Sequence, residues 1–265
     1  FYGFDREVQL LANRGYAVLQ PNFRGSTGFG KAFTNAGDGA WHTAMQTDLL
    51  DAVDWAVREG IADRAKVAIM GGSYGGYATL AGLTFHPTTY ACGVDIVGPS
   101  NLQTLLSTVP PYWESFRRQL IRRIADPDTP EGREKLRQMS PLTFADRIQR
   151  PLLIGQGAND PRVRQAESDQ IVAAMQAKNI PVTYVLFPDE GHGFARPENN
   201  IAFMAVAENF LARCLGGRAE PIGDTVARST ALVPHGAQYA PGLNEALALR
   251  AVPAPAAAAP AGPTR

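Results

Sequence analysis

Five short apolar runs alternate with stretches of helical spacing, and this alternation constrains the fold more than any other feature of the chain. The runs are Tyr16–Gln20, Val67–Met70, Ala91–Gly98, Pro151–Gly157 and Val182–Phe187. Each is too short for a helix, and the last four lack the polar alternation of a strand wetted on one face. They read as strands buried on both sides. Between and after them, His42–Glu59, Tyr77–Leu83, Gln165–Lys178 and Glu198–Leu215 carry helical patterns. A short helix is also expected ahead of Gly15. The implied class is α/β, a mostly parallel sheet with helices on both faces.

Length and composition set the boundaries. The chain has 265 residues, 45% of them hydrophobic, which suits one large domain with a sizeable core. We expect that domain over 1–217, with a helical excursion at about 101–148 beside the site. The composition changes after Gly216, and Ala251–Arg265 is almost entirely alanine and proline. Such a segment cannot bury a core, so 218–265 is expected to be a disordered tail. Net charge is zero, which gives no reason to expect nucleic acid or an acidic membrane surface as a partner. No apolar run is long enough to span a bilayer. Cys92 and Cys214 lack metal-ligand spacing; two buried thiols are the expectation, with a single disulfide as the open alternative. The chain opens at Phe1 without a visible signal peptide. Localisation is left open between cytoplasmic and periplasmic or secreted.

The chemistry centres on Gly71-Gly72-Ser73-Tyr74-Gly75, a Gly-x-Ser-x-Gly pentapeptide between the Val67–Met70 strand and a helical run. A serine on a sharp strand-to-helix turn has a strained backbone and an exposed hydroxyl, and small neighbours let the turn close. Serine needs a base, and the base needs an acid to fix its tautomer. Of the four histidines, only His192 sits between glycines just after a strand, where a parallel sheet presents its catalytic loops. Asp160 occupies the loop after the preceding strand. The order Ser73, Asp160, His192 is that of an α/β-hydrolase. Ser73 is then the nucleophile, His192 the base and Asp160 its orienting acid, with the Tyr74 N–H as one oxyanion donor. No metal or organic cofactor is implied. The glycines at 25, 28 and 30 lack the pattern of a phosphate loop.

At this point the match to a family is specific. Gly-Gly-Ser-Tyr-Gly-Gly-Tyr at 71–77, Leu-Leu-Ala-Asn-Arg-Gly-Tyr-Ala-Val-Leu at 10–19 and Asn-Phe-Arg-Gly-Ser-Thr-Gly-Phe-Gly at 22–30 resemble the prolyl oligopeptidase family of serine peptidases. So do Gly-Ala-Asn-Asp-Pro-Arg-Val at 157–163 and Glu-Gly-His-Gly-Phe at 190–194. The acylaminoacyl-peptidase-like branch is the most similar, and the resemblance covers about 1–217. It implies a catalytic domain of the α/β-hydrolase fold that cuts short peptides, including N-acylated ones, as an exopeptidase or oligopeptidase. It also implies an N-terminal β-propeller, and self-association as a homo-oligomer is common in the family. By motif, Arg162 corresponds to an arginine that binds a substrate carbonyl, and Val163 to a residue lining the specificity pocket. The family's His-Gly-Gly-Pro-like segment is missing, as are its first strands, so the chain is expected to be N-terminally truncated. Other readings are a carboxylesterase on the same fold, a catalytically incomplete fragment, and a non-catalytic binding domain.

Overall fold

The computed structural model describes residues 3–251. Its strands are β1 (Ala68–Gly72), β2 (Cys92–Ile96), β3 (Leu152–Gly157), β4 (Val182–Phe187) and β5 (Leu232–His235). They form one sheet in the order β1-β2-β3-β4-β5. The first three pairings are parallel and the last is antiparallel. The helices before the excursion are α1 (Arg6–Asn13), α2 (Lys31–Asn35), α3 (Ala44–Arg58) and α4 (Tyr74–Phe85). The excursion adds α5 (Leu102–Ser107), α6 (Glu114–Arg123) and α7 (Pro130–Met139). The remainder are α8 (Gln165–Ala177), α9 (Pro197–Leu215), α10 (Thr225–Arg228) and α11 (Leu243–Ala248).

Strand periodicity divides the core into two halves. Cys92, Val94, Leu153, Val185 and Phe187 face one side and pack against Phe203, Val206 and Phe210 of α9. Their neighbours Leu152, Ile154, Val182, Tyr184 and Leu186 face the other, against Leu80 and Leu83 of α4 and Ile171 and Met175 of α8. Alternate residues of one strand thus feed opposite layers, as the short apolar runs require. A third cluster holds the excursion down: Leu102, Leu106, Leu136 and Met139 pack on Tyr77 of α4 and on Val163. The Tyr77 hydroxyl donates to the Met139 carbonyl at 2.7 Å.

Three expectations differ from what is found. Tyr16–Gln20 is irregular rather than a strand, with Val18 37% and Leu19 49% exposed. β1 is an edge of the sheet, so among the described residues nothing pairs with its outer side. Apolar sequence without a ladder partner does not make a strand. Second, the reading of 218–265 as one disordered tail does not hold for 218–251. Ile222, Val226, Ala231, Ala240, Leu243 and Ala246 join the core cluster under α9, and β5 pairs with β4. Arg250 donates to the carbonyls of Val226, Ser229 and Ala231. Enough apolar side chains precede the alanine/proline segment to cover the β4 edge. The rest of that expected tail, residues 252–265, lies outside the described residues. Third, Cys92 and Cys214 are joined as a disulfide rather than left as two thiols. Both lie between sheet and α9, with Cα atoms 6.4 Å apart, within the span of a bridge.

Candidate active site

The site is built at the C-terminal ends of β1, β3 and β4. Ser73 stands between β1 and α4 with φ +57°, ψ −114°, a conformation costly for a residue with a Cβ. The turn closes only because its neighbours are small. A Cβ on Gly71 would lie 2.7 Å from the Gly75 backbone, and one on Gly76 2.6 Å from the Gly98 Cα. The Ser73 N–H donates to the Ile96 carbonyl at the end of β2, 2.8 Å away. Tyr74 is the first residue of α4, where N–H groups have no intrahelical acceptor and the helix dipole favours negative charge. Its ring packs against Phe23, Trp41 and Tyr77, and burial pushes its phenol pKa up.

Two loops bring the other groups to Ser73. His192 Nε2 lies 2.9 Å from Ser73 Oγ, and His192 Nδ1 lies 2.7 Å from Asp160 Oδ2. The second Asp160 oxygen accepts from the N–H groups of Arg162 and Val163, both at 2.9 Å. The Asp160 side chain is fully buried and that of His192 is 15% exposed. An anchored carboxylate beside Nδ1 holds the proton there and leaves Nε2 free to accept one from the serine. A hydroxyl, an imidazole and a carboxylate 119 and 32 residues apart in sequence thus form one continuous hydrogen-bonded line.

The structure brings three of the expected side chains together, Ser73, Asp160 and His192, and Tyr74, expected to lend its N–H, follows Ser73 as the first residue of α4. Arg162 is exposed and its guanidinium has no ion-pair partner among the described residues. Val163 is 4% exposed and sits in the cluster with Tyr77, Leu102 and Leu106. Among the described residues no group of three or more His, Cys, Asp or Glu side chains is placed to hold a metal. No described helix is long and apolar enough to cross a membrane.

Sequence reading missed Asp95. It is fully buried on β2, and its Oδ1 accepts from the Gly98 N–H at 2.9 Å. This bond closes the turn in which Val97 takes φ +50°, directly after the carbonyl that holds Ser73. Oδ2 has no partner among the described residues, and burial pushes the carboxyl pKa well above its usual range. An acid inside the otherwise apolar run 91–98 was the available signal.

A mostly parallel sheet with helices on both faces, and a serine on a strand-to-helix turn facing histidine and aspartate from later loops, define the α/β-hydrolase class. Within it, the chain belongs to the prolyl oligopeptidase family, whose model matches residues 2–218. It is 71% identical over 246 residues to dipeptidyl aminopeptidase BIII of Pseudoxanthomonas mexicana, covering 93% of this chain and 36% of that protein. It is 58% identical over 233 residues to dipeptidyl peptidase family member 6 of Caenorhabditis elegans, covering 88% of this chain and 32% of that one. Among solved structures, Pyrococcus horikoshii acylaminoacyl peptidase superposes with a TM-score of 0.73 at 26% identity, over 82% of this chain and 35% of that chain. The chain therefore spans about a third of the length of these relatives.

Proposed function

We propose that this chain is the catalytic domain of a serine peptidase that hydrolyses short peptides through an acyl-enzyme on Ser73. The observation that carries the reading is the Ser73–His192–Asp160 line, with separations of 2.9 and 2.7 Å. Ser73 Oγ attacks the scissile carbonyl while His192 Nε2 takes its proton. Asp160 holds the imidazole and stabilises its charged form. The Tyr74 N–H donates to the developing oxyanion. His192 then protonates the leaving amine, and water, activated by the same histidine, releases the acid. Arg162 binds a substrate carbonyl through its exposed guanidinium, and Val163 backs the specificity pocket from the cluster below.

The two dipeptidyl peptidases are the relatives at higher identity, 71% and 58%, against 28% for the Arabidopsis thaliana acylamino-acid-releasing enzyme. Release of dipeptides from a free N-terminus is thus favoured over release of N-acylated residues. The greater length of the relatives fits a β-propeller in the whole protein that limits access to short peptides. Self-association belongs to the same reading and is checked by light scattering on the full-length protein.

The test is a comparison of dipeptidyl p-nitroanilides with free and acetylated N-termini, beside a p-nitrophenyl ester. Cleavage of the free-amine anilides, abolished in Ser73→Ala, is the expected result. Rapid ester cleavage with no anilide cleavage would instead make the protein a carboxylesterase, and turnover unchanged in Ser73→Ala would remove the acyl-enzyme.

A further inference from the structure

His192 lies between Gly191 and Gly193, and Gly193 has φ +119°. Glycine has little backbone preference of its own, so this loop needs an external restraint to hold the imidazole in one place. The Phe194 ring packs on Phe187 and Phe203 at one end of the loop, and a second restraint is the side chain of Glu190, which is 3% exposed. Its Oε2 accepts from the Ala195 N–H at 2.9 Å. Its Oε1 accepts from the Arg196 N–H at 2.9 Å and from Asn199 Nδ2 at 3.0 Å. One carboxylate thus bridges the start of the His192 loop to its end and to the first turn of α9. The positive end of that 19-residue helix favours the charge. The Arg196 guanidinium pairs with Asp189 and Glu198 instead.

The backbone of Glu190 is tied as firmly. Its N–H donates to the Phe187 carbonyl at the end of β4, 3.3 Å away. Its carbonyl accepts at 2.9 Å from the N–H of Asn159, the residue next to Asp160. The two loops touch so closely that a Cβ on Gly157 would lie 2.6 Å from the Glu190 carbonyl oxygen. Glu190 therefore references the Asp160 loop through its main chain and the His192 loop through its side chain.

We infer that Glu190 is a positioning residue that sets the Asp160–His192–Ser73 alignment; this rests on the catalytic reading above. Glutamine at this position cannot fill the same role. With its oxygen toward Arg196 and Asn199, its amide faces the Ala195 N–H, donor against donor. The reversed orientation leaves two donors unmatched. The His192 loop then loosens while the substrate-facing side chains stay in place.

The experiment compares wild type, Glu190→Gln and Glu190→Asp, with Glu198→Gln as a half-buried neighbour control. Three quantities are read: kcat and KM for p-nitrophenyl butyrate, the labelling rate by a fluorophosphonate probe, and the downfield proton resonance of His192 Nδ1–H. For E190Q, kcat and the labelling rate should fall about 10²-fold, the size expected of a small misplacement of a catalytic group. KM should change little, and the Nδ1–H resonance should broaden or vanish. E190D keeps the charge at shorter reach and should fall between E190Q and wild type. E198Q should match wild type. Unchanged kcat and resonance in folded E190Q would overturn the inference. So would a loss that only tracks the unfolded fraction while the resonance persists. If E190Q does not fold, E190D carries the same comparison. If wild type itself neither turns over nor labels, the catalytic reading fails, and the resonance alone still decides the role of Glu190.

Discussion

Asp160→Asn isolates the acid of the triad with little change in shape, and the structure dictates how the amide must turn. Asp160 Oδ1 accepts two backbone N–H groups at 2.9 Å, and Oδ2 faces His192 Nδ1 at 2.7 Å. In the asparagine, placing the oxygen toward Arg162 and Val163 keeps both loop bonds and points the NH2 at Nδ1. The opposite orientation sets NH2 against two N–H donors, forfeiting two hydrogen bonds at about 1 kcal/mol each and adding about 1–3 kcal/mol for buried unpaired donors. The first orientation therefore wins by several kcal/mol. Its NH2 donates to Nδ1, which forces the imidazole proton onto Nε2, facing Ser73. A protonated Nε2 cannot take the serine proton. In the Ser-His-Asp template this tautomer error costs about 10⁴ in kcat, or about 5.5 kcal/mol of barrier. Stability should stay close to wild type because the loop bonds survive. The assay is p-nitrophenyl ester turnover together with fluorophosphonate labelling, with thermal unfolding as the folding check. A folded Asp160→Asn protein within tenfold of wild-type rate would refute the reasoning.

Other outcomes follow from the same contacts. Gly76→Ala drives a methyl into Asp95 Oδ1 and to 2.6 Å from the Gly98 Cα; it should lose about 1–3 kcal/mol in denaturant titration and slow Ser73 labelling, because the turn must move. Asp95 keeps its proton in the folded state above the pH where the unfolded chain ionises. Wild-type stability should therefore fall by up to about 1.4 kcal/mol per pH unit above about pH 4, until the folded carboxyl ionises too. Asp95→Asn should remove that part of the slope, seen as a flatter profile of unfolding free energy against pH. Deleting 218–265 removes buried Ile222, Val226 and Leu243 and bares the β4 edge. Each large side chain contributes about 1.5–3 kcal/mol, so a loss of at least about 5 kcal/mol, or insolubility, is expected. A truncated chain with wild-type Tm would contradict the packing described.

The site was legible because its chemistry is local in sequence and its geometry follows from topology. Gly-x-Ser-x-Gly marks the turn after β1, and Asp160 and His192 follow β3 and β4; parallel strands bring all three loops to one end of the sheet. The four parallel strands were readable because each feeds both faces of the core and is mostly apolar. What was not legible depends on partners far away in sequence. Tyr16–Gln20 has strand-like composition, but pairing, not composition, makes a strand. β5 is short, contains Pro234, and leaves Leu232 46% exposed; proline is tolerated in such an edge strand, and nothing in its pattern announces one. Asp95 and Glu190 act through backbone groups of neighbouring turns, which no spacing rule reports. The Cys92–Cys214 pairing joins residues 122 apart and depends on α9 lying across β2.

The central claim is that Ser73 is an activated nucleophile, and its most direct test is intact mass after exposure to a fluorophosphonate probe, on wild type and on Ser73→Ala. A single adduct on the wild type, mapped to the peptide containing Ser73, and none on the variant is the expected result. A folded wild type that takes up no probe, or equal labelling of Ser73→Ala, would contradict it.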